Sequence, residues 1–402
     1  VLGVQPSSLV ALANPQDTTR MTVGVNNGGQ ITPLTTEDIG QGQIGGLLRF
    51  QDFDLADARN RLGQLVAGLG HALNTQQSLG LDLQGQTGAP LLRFSGPEVV
   101  PGANNQRDTN GELLATVGLT VSDATALTAS DYRLEADPAN GGQYIVTRLS
   151  DGRVSAPVPD GGTVDGFTIT IGPNAPSVGE FFVLKPVAAS AADVAVVMKN
   201  PRGLAAANPV TANISPANNG TAAIVGLQIT AAPANPYQAL SVNFTDDLGN
   251  YELRDAANAV LGTGTFTAGQ PISYDGMDLS INGVPKAGDT LLINPVVHPA
   301  ASNGNALRFD NLANRGLVDG VTVSDAYANA MAEVGTRVQG AVAAADTSST
   351  VAARANAELS AEVGVNLDEE AARLIQFQQS YQAAAKMLQT AQTLFDTLLN
   401  MR

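Results

Sequence analysis

Apolar side chains recur at alternating intervals of three and four residues through segment 366–402, which is the spacing of one face of an α-helix. The main positions of this apolar stripe are Leu374, Phe377, Tyr381, Ala384, Leu388, Ala391, Phe395 and Leu398. The opposite face is polar but uncharged, with Gln376, Gln379, Gln382, Gln389 and Thr393. A stripe of this length predicts an amphipathic or coiled-coil helix, and its apolar face needs a partner.

The start of this terminal helix is marked by capping residues. Asn366 is a favourable cap, and Glu369 follows three residues later, as in a capping box. Acidic residues in the first turn also oppose the positive end of the helix dipole. Because no glycine or proline occurs after Gly364, the helix is expected to continue to the end of the chain.

Two other segments carry the same helical period. In segment 46–90 the apolar positions run from Leu55 to Ala72, and the predicted helix ends near Gly80. Segment 301–362 has the same rhythm from Tyr327 onwards, with Ser324 as the predicted cap and a polar interruption at 346–350. These segments predict slender, coiled-coil-like rod elements.

Between about residues 91 and 299 the chain is composed of short alternating strands with Gly, Pro and Asn at the turns. Four stretches occur twice in the same order. They are 117–121 with 225–229, 142–144 with 249–251, 165–171 with 275–281, and 179–187 with 288–296. This order predicts a duplicated all-β domain, with segment 200–220 as a linker.

The remaining segment, 1–45, alternates as strands do and contains a turn at 26–29. A single hairpin is not stable alone, so these strands are expected to complete an outer β domain. The predicted fold class is α+β multidomain, with long helical rod segments and inserted, duplicated all-β domains. The predicted domains are residues 1–45, 46–90, 91–200, 201–300, 301–362 and 363–402.

Composition narrows the classes of function. Acidic residues outnumber basic ones 37 to 21, giving a net charge of −16, which argues against a nucleic-acid partner. The charged fraction of 14% is too low for a disordered acidic tail. The chain has no cysteine and no apolar run long enough to span a bilayer.

No motif predicts catalysis, a cofactor or a metal. Acidic and amide residues at 246–252 do not have the spacing of a calcium-binding EF-hand loop, and a solvated turn is the better interpretation. The two histidines, His71 and His298, lie in segments of different type, which disfavours a histidine triad or zinc site. We therefore expect no catalytic, cofactor-binding or metal-binding residues, and a protein that is not an enzyme.

The carboxyl-terminal sequence resembles that of a known family. Its stretches GVNLDEE at 364–370, FQQSYQA at 377–383 and TAQTLFDTLLNMR at 390–402 are similar to the end of the flagellar hook-associated protein 1 family, the hook–filament junction proteins. GGLLRF at 45–50 and LGQL at 62–65 resemble the same family. Since the first residue is Val1, an amino-terminal portion is expected to be missing.

The resemblance implies a structural subunit of the bacterial flagellum, extracellular and located at the hook–filament junction. It implies self-association in a ring or helical tube, contact with neighbouring hook and junction proteins, and an export chaperone on the terminal helix.

Two alternatives remain open from the sequence. One is another flagellar axial protein, a hook protein or flagellin, although the acidic start and the pair Gln378-Gln379 favour the junction proteins. The other is a secreted β-repeat adhesin or carbohydrate-active enzyme, which glycan binding to the β repeats would support.

Overall fold

A computed structural model describes residues 7–40, 42–363 and 367–400. The chain forms two compact units, which divide between Met331 and Ala332. The helices of the described chain are α1 (Thr36–Ile39), α2 (Gln43–Arg49), α3 (Leu55–Ser78), α4 (Gly304–Leu312), α5 (Val323–Val363) and α6 (Leu367–Leu399).

The strands of the amino-terminal part and the first β repeat are β1 (Ser8–Asn14), β2 (Asp17–Asn27), β3 (Gln30–Pro33), β4 (Leu92–Arg93), β5 (Glu98–Pro101), β6 (Val117–Val121), β7 (Tyr132–Ala136), β8 (Gln143–Arg148), β9 (Val158–Pro159), β10 (Thr163–Val164), β11 (Phe167–Ile171), β12 (Phe181–Lys185) and β13 (Ala195–Val196). Those of the second repeat are β14 (Val210–Ile214), β15 (Ala223–Ile229), β16 (Leu240–Phe244), β17 (Asn250–Asp255), β18 (Val260–Thr265), β19 (Ile272–Tyr274), β20 (Met277–Asn282) and β21 (Thr290–Pro295).

The two β repeats have the same topology. The first contains a five-stranded sheet in the order β5-β12-β7-β8-β9 and a three-stranded sheet in the order β10-β11-β6. In the second repeat the orders are β14-β21-β16-β17-β18 and β15-β20-β19. When the strands are counted from the start of each repeat, equivalent strands therefore have the same neighbours in both copies. This identity confirms the duplication predicted from the sequence.

A tight turn is repeated in detail. Asp165 and Asp275 have positive φ, and each is followed by a glycine that also has positive φ. The carbonyl of Gly166 accepts hydrogen bonds from the backbone N–H groups of Ser122 and Asp123, both at 2.9 Å. In the second copy the carbonyl of Gly276 accepts from residues 230 and 231. Asp-Gly suits this two-residue turn because aspartate tolerates, and glycine readily adopts, positive φ.

Each repeat has its own apolar core. The largest fully buried side chains of the first include Tyr132, Phe167 and Phe182. In the second they include Phe244 and Leu291, and Leu79 from the end of α3 joins that core. Separate cores fit the idea that each repeat is a domain. The domain boundaries given above stay a prediction.

The predicted linker at 200–220 needs correction. It contains β14, which pairs with β21 and is the first strand of the second repeat. The sequence of this strand is short and rich in Thr, Ala and Asn, so its turn-forming flanks concealed it.

The helix preceding the repeats begins earlier than its apolar period indicates. It starts as α2 at Gln43, passes through a π-helical turn at Phe50–Asp54 and continues as α3 to Ser78. Gly45 lies inside α2, where a Cβ would be only 2.4 Å from the carbonyl oxygen of Gly40. This close approach of the two backbone segments leaves no room for a side chain, so glycine is needed at position 45.

The long helix α5 also differs from expectation in two places. It begins at Val323, and the capping hydroxyl is that of Thr322, which accepts a hydrogen bond from the backbone N–H of Asp325 at 3.2 Å. The predicted cap Ser324 therefore lies within the first turn. The helix is also continuous through 346–350, where the hydroxyls of Thr347 and Thr350 donate to backbone carbonyls four residues earlier, at 2.8 and 2.9 Å.

Candidate assembly helix

The terminal helix α6 is continuous from Leu367 to Leu399, as the uninterrupted period predicted. Its first turn contains the acidic residues Asp368, Glu369 and Glu370. The predicted cap Asn366 lies outside the described residues. The capping box of Asn366 and Glu369 therefore stays a prediction.

All the predicted interface positions are exposed. The exposed fractions are 60% for Leu374, 72% for Phe377, 78% for Tyr381, 68% for Leu388, 66% for Phe395 and 70% for Leu398, and Ala384 and Ala391 are exposed as well. Burying one large apolar side chain contributes about 1.5–3 kcal/mol. Burying the stripe against a partner would therefore contribute a large stabilising free energy.

Three threonine hydroxyls of α6 form their hydrogen bonds within the helix itself. The hydroxyls of Thr390, Thr393 and Thr397 donate to the carbonyl oxygens of the residues four positions earlier, at 2.9, 2.8 and 2.5 Å. These three hydroxyls therefore need no partner outside the helix. The ion pair of Arg373 with Glu370, at 3.3 Å, is exposed and contributes little. The apolar stripe, by contrast, is exposed along α6 and would be stabilised by burial against a partner.

A second apolar surface was missed by the sequence analysis. Leu47, Phe50 and Phe53, at intervals of three residues on α2 and the π-helical turn, are 68%, 54% and 60% exposed. Their spacing was the available signal. The sequence prediction starts the apolar stripe of this helix at Leu55, so these three residues lie outside it.

The residues considered for chemistry have structural roles. His71 packs edge-on against Phe94 with ring centroids 5.1 Å apart, and burial lowers the pKa of its imidazole. The Asp246 carboxylate accepts hydrogen bonds from the backbone N–H groups of Leu248 and Asn250, at 2.9 and 3.1 Å, and so closes a turn. Within the described ranges, no group of three or more His, Asp or Glu side chains is arranged to hold a metal ion. None of the helices in that part of the chain combines the length and apolar character needed to cross a bilayer.

Family models match three parts of the chain. Residues 1–92 match the flagellar hook-associated protein FlgK helical domain, and residues 103–186 match the D2-like domain of flagellar hook-associated protein 1. Residues 361–401 match the carboxyl-terminal domain of the flagellar basal body rod FlgEFG proteins. The last match covers α6.

The curated relatives align along the whole chain. It is 27% identical to flagellar hook-associated protein 1 of Escherichia coli K12 and of Salmonella typhimurium, with 100% of this chain covered in both cases. It spans 57% and 58% of the lengths of those relatives.

A solved structure supports the fold. The flagellar hook junction protein FlgK from Burkholderia pseudomallei superposes with a TM-score of 0.74 at 23% identity, covering 90% of this chain and 71% of that one. Together with the family models and the curated relatives, it shows that the chain is similar to flagellar hook-associated protein 1, in sequence along its whole length and in fold over most of it.

Proposed function

We propose that this chain is a structural subunit of the bacterial flagellum, which joins the hook to the filament through packing of its terminal helix. The observation that carries the proposal is the uncharged, exposed apolar stripe along the whole of α6. Curated relatives in which the whole chain aligns, among them those from Escherichia coli and Salmonella typhimurium, are named as hook-associated proteins of the flagellum.

The stripe suits packing against other helices. An isolated helix is marginally stable in water, and most of its stability in proteins comes from covering an apolar face. The interface positions of α6 carry no charge, so covering them desolvates no ion. Self-association in a ring or helical tube, with neighbouring hook and junction proteins, would cover the stripe. Leu47, Phe50 and Phe53 offer a second surface for such contacts.

The β repeats have a different role in this proposal. Because each has its own core, neither needs the assembly contacts in order to fold. They would face outward, while the helices form the inner part of the junction. Before assembly, an export chaperone would cover α6, since an exposed apolar face of this size favours aggregation. The subunit acts mechanically in an extracellular structure and is not an enzyme.

Immunogold labelling with antibodies against the β repeats tests this function. We expect a narrow band of gold between hook and filament, and no label in a strain lacking the gene. Label along the filament shaft would indicate a flagellin, and label along the hook would indicate a hook protein. Label spread over the cell surface would support the adhesin hypothesis and overturn the proposal.

A further inference from the structure

A cavity of about 510 Å³ lies where α3, α4 and both β repeats meet. The two repeats contribute equivalent positions to its wall. Val121 ends β6 and Ser122 follows it, just as Ile229 ends β15 and Thr230 follows it. Helix α3 contributes His71 and Thr75, among others. The cavity is thus built by four elements that are distant in the sequence.

Two arginines line this cavity. Arg308 on α4 is half-buried, and its guanidinium donates a hydrogen bond to the side-chain oxygen of Gln228. Arg315 lies just after α4 and is exposed towards the opening. In the described chain neither arginine has a carboxylate within ion-pair distance. Burial lowers the pKa of Arg308, and the positive charge of Arg315 lowers it further.

The acidic groups nearby are engaged elsewhere. The Asp123 carboxylate, also in the wall, accepts from the backbone N–H and the hydroxyl of Thr125, at 2.9 and 2.7 Å. Asp278 attracts Arg308 at longer range, and its carboxylate accepts from the hydroxyl of Ser273 at 2.6 Å. Within the described residues the cavity therefore retains two guanidinium cations without an ion-pair partner, although the chain has a net charge of −16.

Two of the hydroxyls in the wall, one from each repeat, already donate to backbone carbonyls. Ser122 donates its hydrogen to the carbonyl oxygen of Gly166 at 3.1 Å, and Thr230 donates to Gly276 at 3.2 Å. The donors that α4 and the residues just after it offer to a bound molecule are the remaining guanidinium N–H groups and the amide of Asn311. Planar guanidinium groups match the oxygen pairs of carboxylates and phosphates.

We propose that this cavity binds a small oxyanion of the carboxylate or phosphate type, held by Arg308 and Arg315. The anion relieves the repulsion between the two guanidinium groups. The site is independent of the proposed role of α6.

The two histidines allow a direct test. His71 lines the cavity and His298 does not, so the intact chain labelled with ¹³C-histidine gives one reporter and one internal reference. We would titrate inorganic phosphate, and separately acetate, against chloride at constant ionic strength, because salt screens charge interactions. We expect a saturable shift of the His71 ring signals and a rise in its pKa, with His298 unchanged. A shift with phosphate alone would assign phosphate-type ligands, and a shift with acetate would assign carboxylates.

Arginine variants complete the test. Arg315→Gln removes a cation that has no partner in the described chain, so it is expected to leave the fold intact and weaken binding by roughly tenfold or more. Arg308→Gln is expected to act similarly, and Arg308→Lys to retain part of the affinity. Arg107→Gln is the matched control, since its guanidinium donates to the Gly111 carbonyl outside the cavity. Binding by Arg315→Gln equal to wild type, or a His71 signal that does not move in wild type, would overturn the proposal.

Discussion

The ammonium nitrogen of Lys185 lies 2.9 Å from a carboxylate oxygen of Asp17, and both side chains are only 8% exposed. The pair joins the end of β12 in the first repeat to the start of β2 in the amino-terminal sheet. Arg20 extends the contact, with Nε 3.0 Å from Asp17 and Nη2 2.8 Å from the buried Asp131. A charge cluster therefore fixes this sheet against the first repeat.

Breaking the cluster on one side is expected to be costly. Lys185→Met leaves the Asp17 carboxylate buried with Arg20 as its remaining cation, so we expect a loss of about 3 kcal/mol in the free energy of unfolding, the lower end for a broken buried pair. Urea unfolding followed by circular dichroism would measure it. Arg373→Met, which removes the exposed pair on α6, should change the free energy of unfolding by less than about 1 kcal/mol.

The double variant Asp17→Asn, Lys185→Met is the informative comparison. It removes both charges, so we expect it to be more stable than Lys185→Met alone. A double variant that loses as much as the sum of the two single variants would show that the two residues act separately.

The same cluster predicts a pH dependence with two opposing parts. Burial opposes ionisation of Asp17, but hydrogen bonds from Thr19 and Lys185 and the charge of Lys185 together lower its pKa below 3.8. Its contribution to stability is therefore present above 3.8 and is lost as the pH falls through the lowered value. Asp17→Asn should remove this acid-induced loss, which unfolding free energies measured from about pH 2 to pH 6 would reveal.

The pH dependence of stability linked to Asp131 has the opposite sign to that linked to Asp17. Burial raises the pKa of its carboxyl despite the attraction of Arg20 and Lys185. Stability linked to Asp131 is therefore complete below 3.8 and declines as the pH rises through the raised value. Asp131→Asn should flatten the profile above 3.8. A variant that instead steepens the decline there would contradict this assignment.

The sequence could predict mostly those features that neighbouring residues determine. The Asp-Gly turns at 165–166 and 275–276, and the alternating strands around them, are coded by neighbouring residues, so the duplication was visible. The stripe on α6 was visible for the same reason. Strand β14 was missed because its assignment depends on pairing with β21, which lies far along the chain. The contact of Asp17 with Lys185 and the cavity at Arg308 require the tertiary fold, so no local pattern reveals them.

The structure also shows where the second repeat can be removed. The backbone N–H of Val296 donates to the carbonyl of Pro209 at 2.9 Å, so the two ends of the repeat are adjacent. We predict that replacing residues 210–295 with a short Gly-Ser bridge leaves a folded chain that is exported and supports some motility. The cost includes exposure of Leu79, about 1.5–3 kcal/mol. Thermal unfolding and swimming in soft agar would measure the two effects.

A wider deletion provides the control. Removing 205–300 also deletes Ala205, whose carbonyl accepts a 2.5 Å hydrogen bond from the side chain of the buried Asn305. Because a buried amide is left without that partner, this variant should be less stable than the narrower one. Loss of secretion with the narrow deletion would contradict the view that the repeat is dispensable.

The last prediction concerns Leu388, in the middle of the α6 stripe and 68% exposed in the chain alone. Leu388→Lys places a charge where the proposed assembly would bury it, and desolvating that charge costs several kcal/mol. In the free subunit the residue has no core contacts to lose, so the melting temperature of the β repeats should be unchanged. In cells that carry the variant in the full-length protein, we expect filaments to detach and flagellin to accumulate in the medium. Gln389→Lys, with the same new charge on the neighbouring polar residue, should be much milder, because that face can stay wet. Swimming speed and flagellin in the culture supernatant would be compared for the two strains. Normal filaments with Leu388→Lys, or equal defects in both strains, would show that the apolar face of α6 is not the assembly surface.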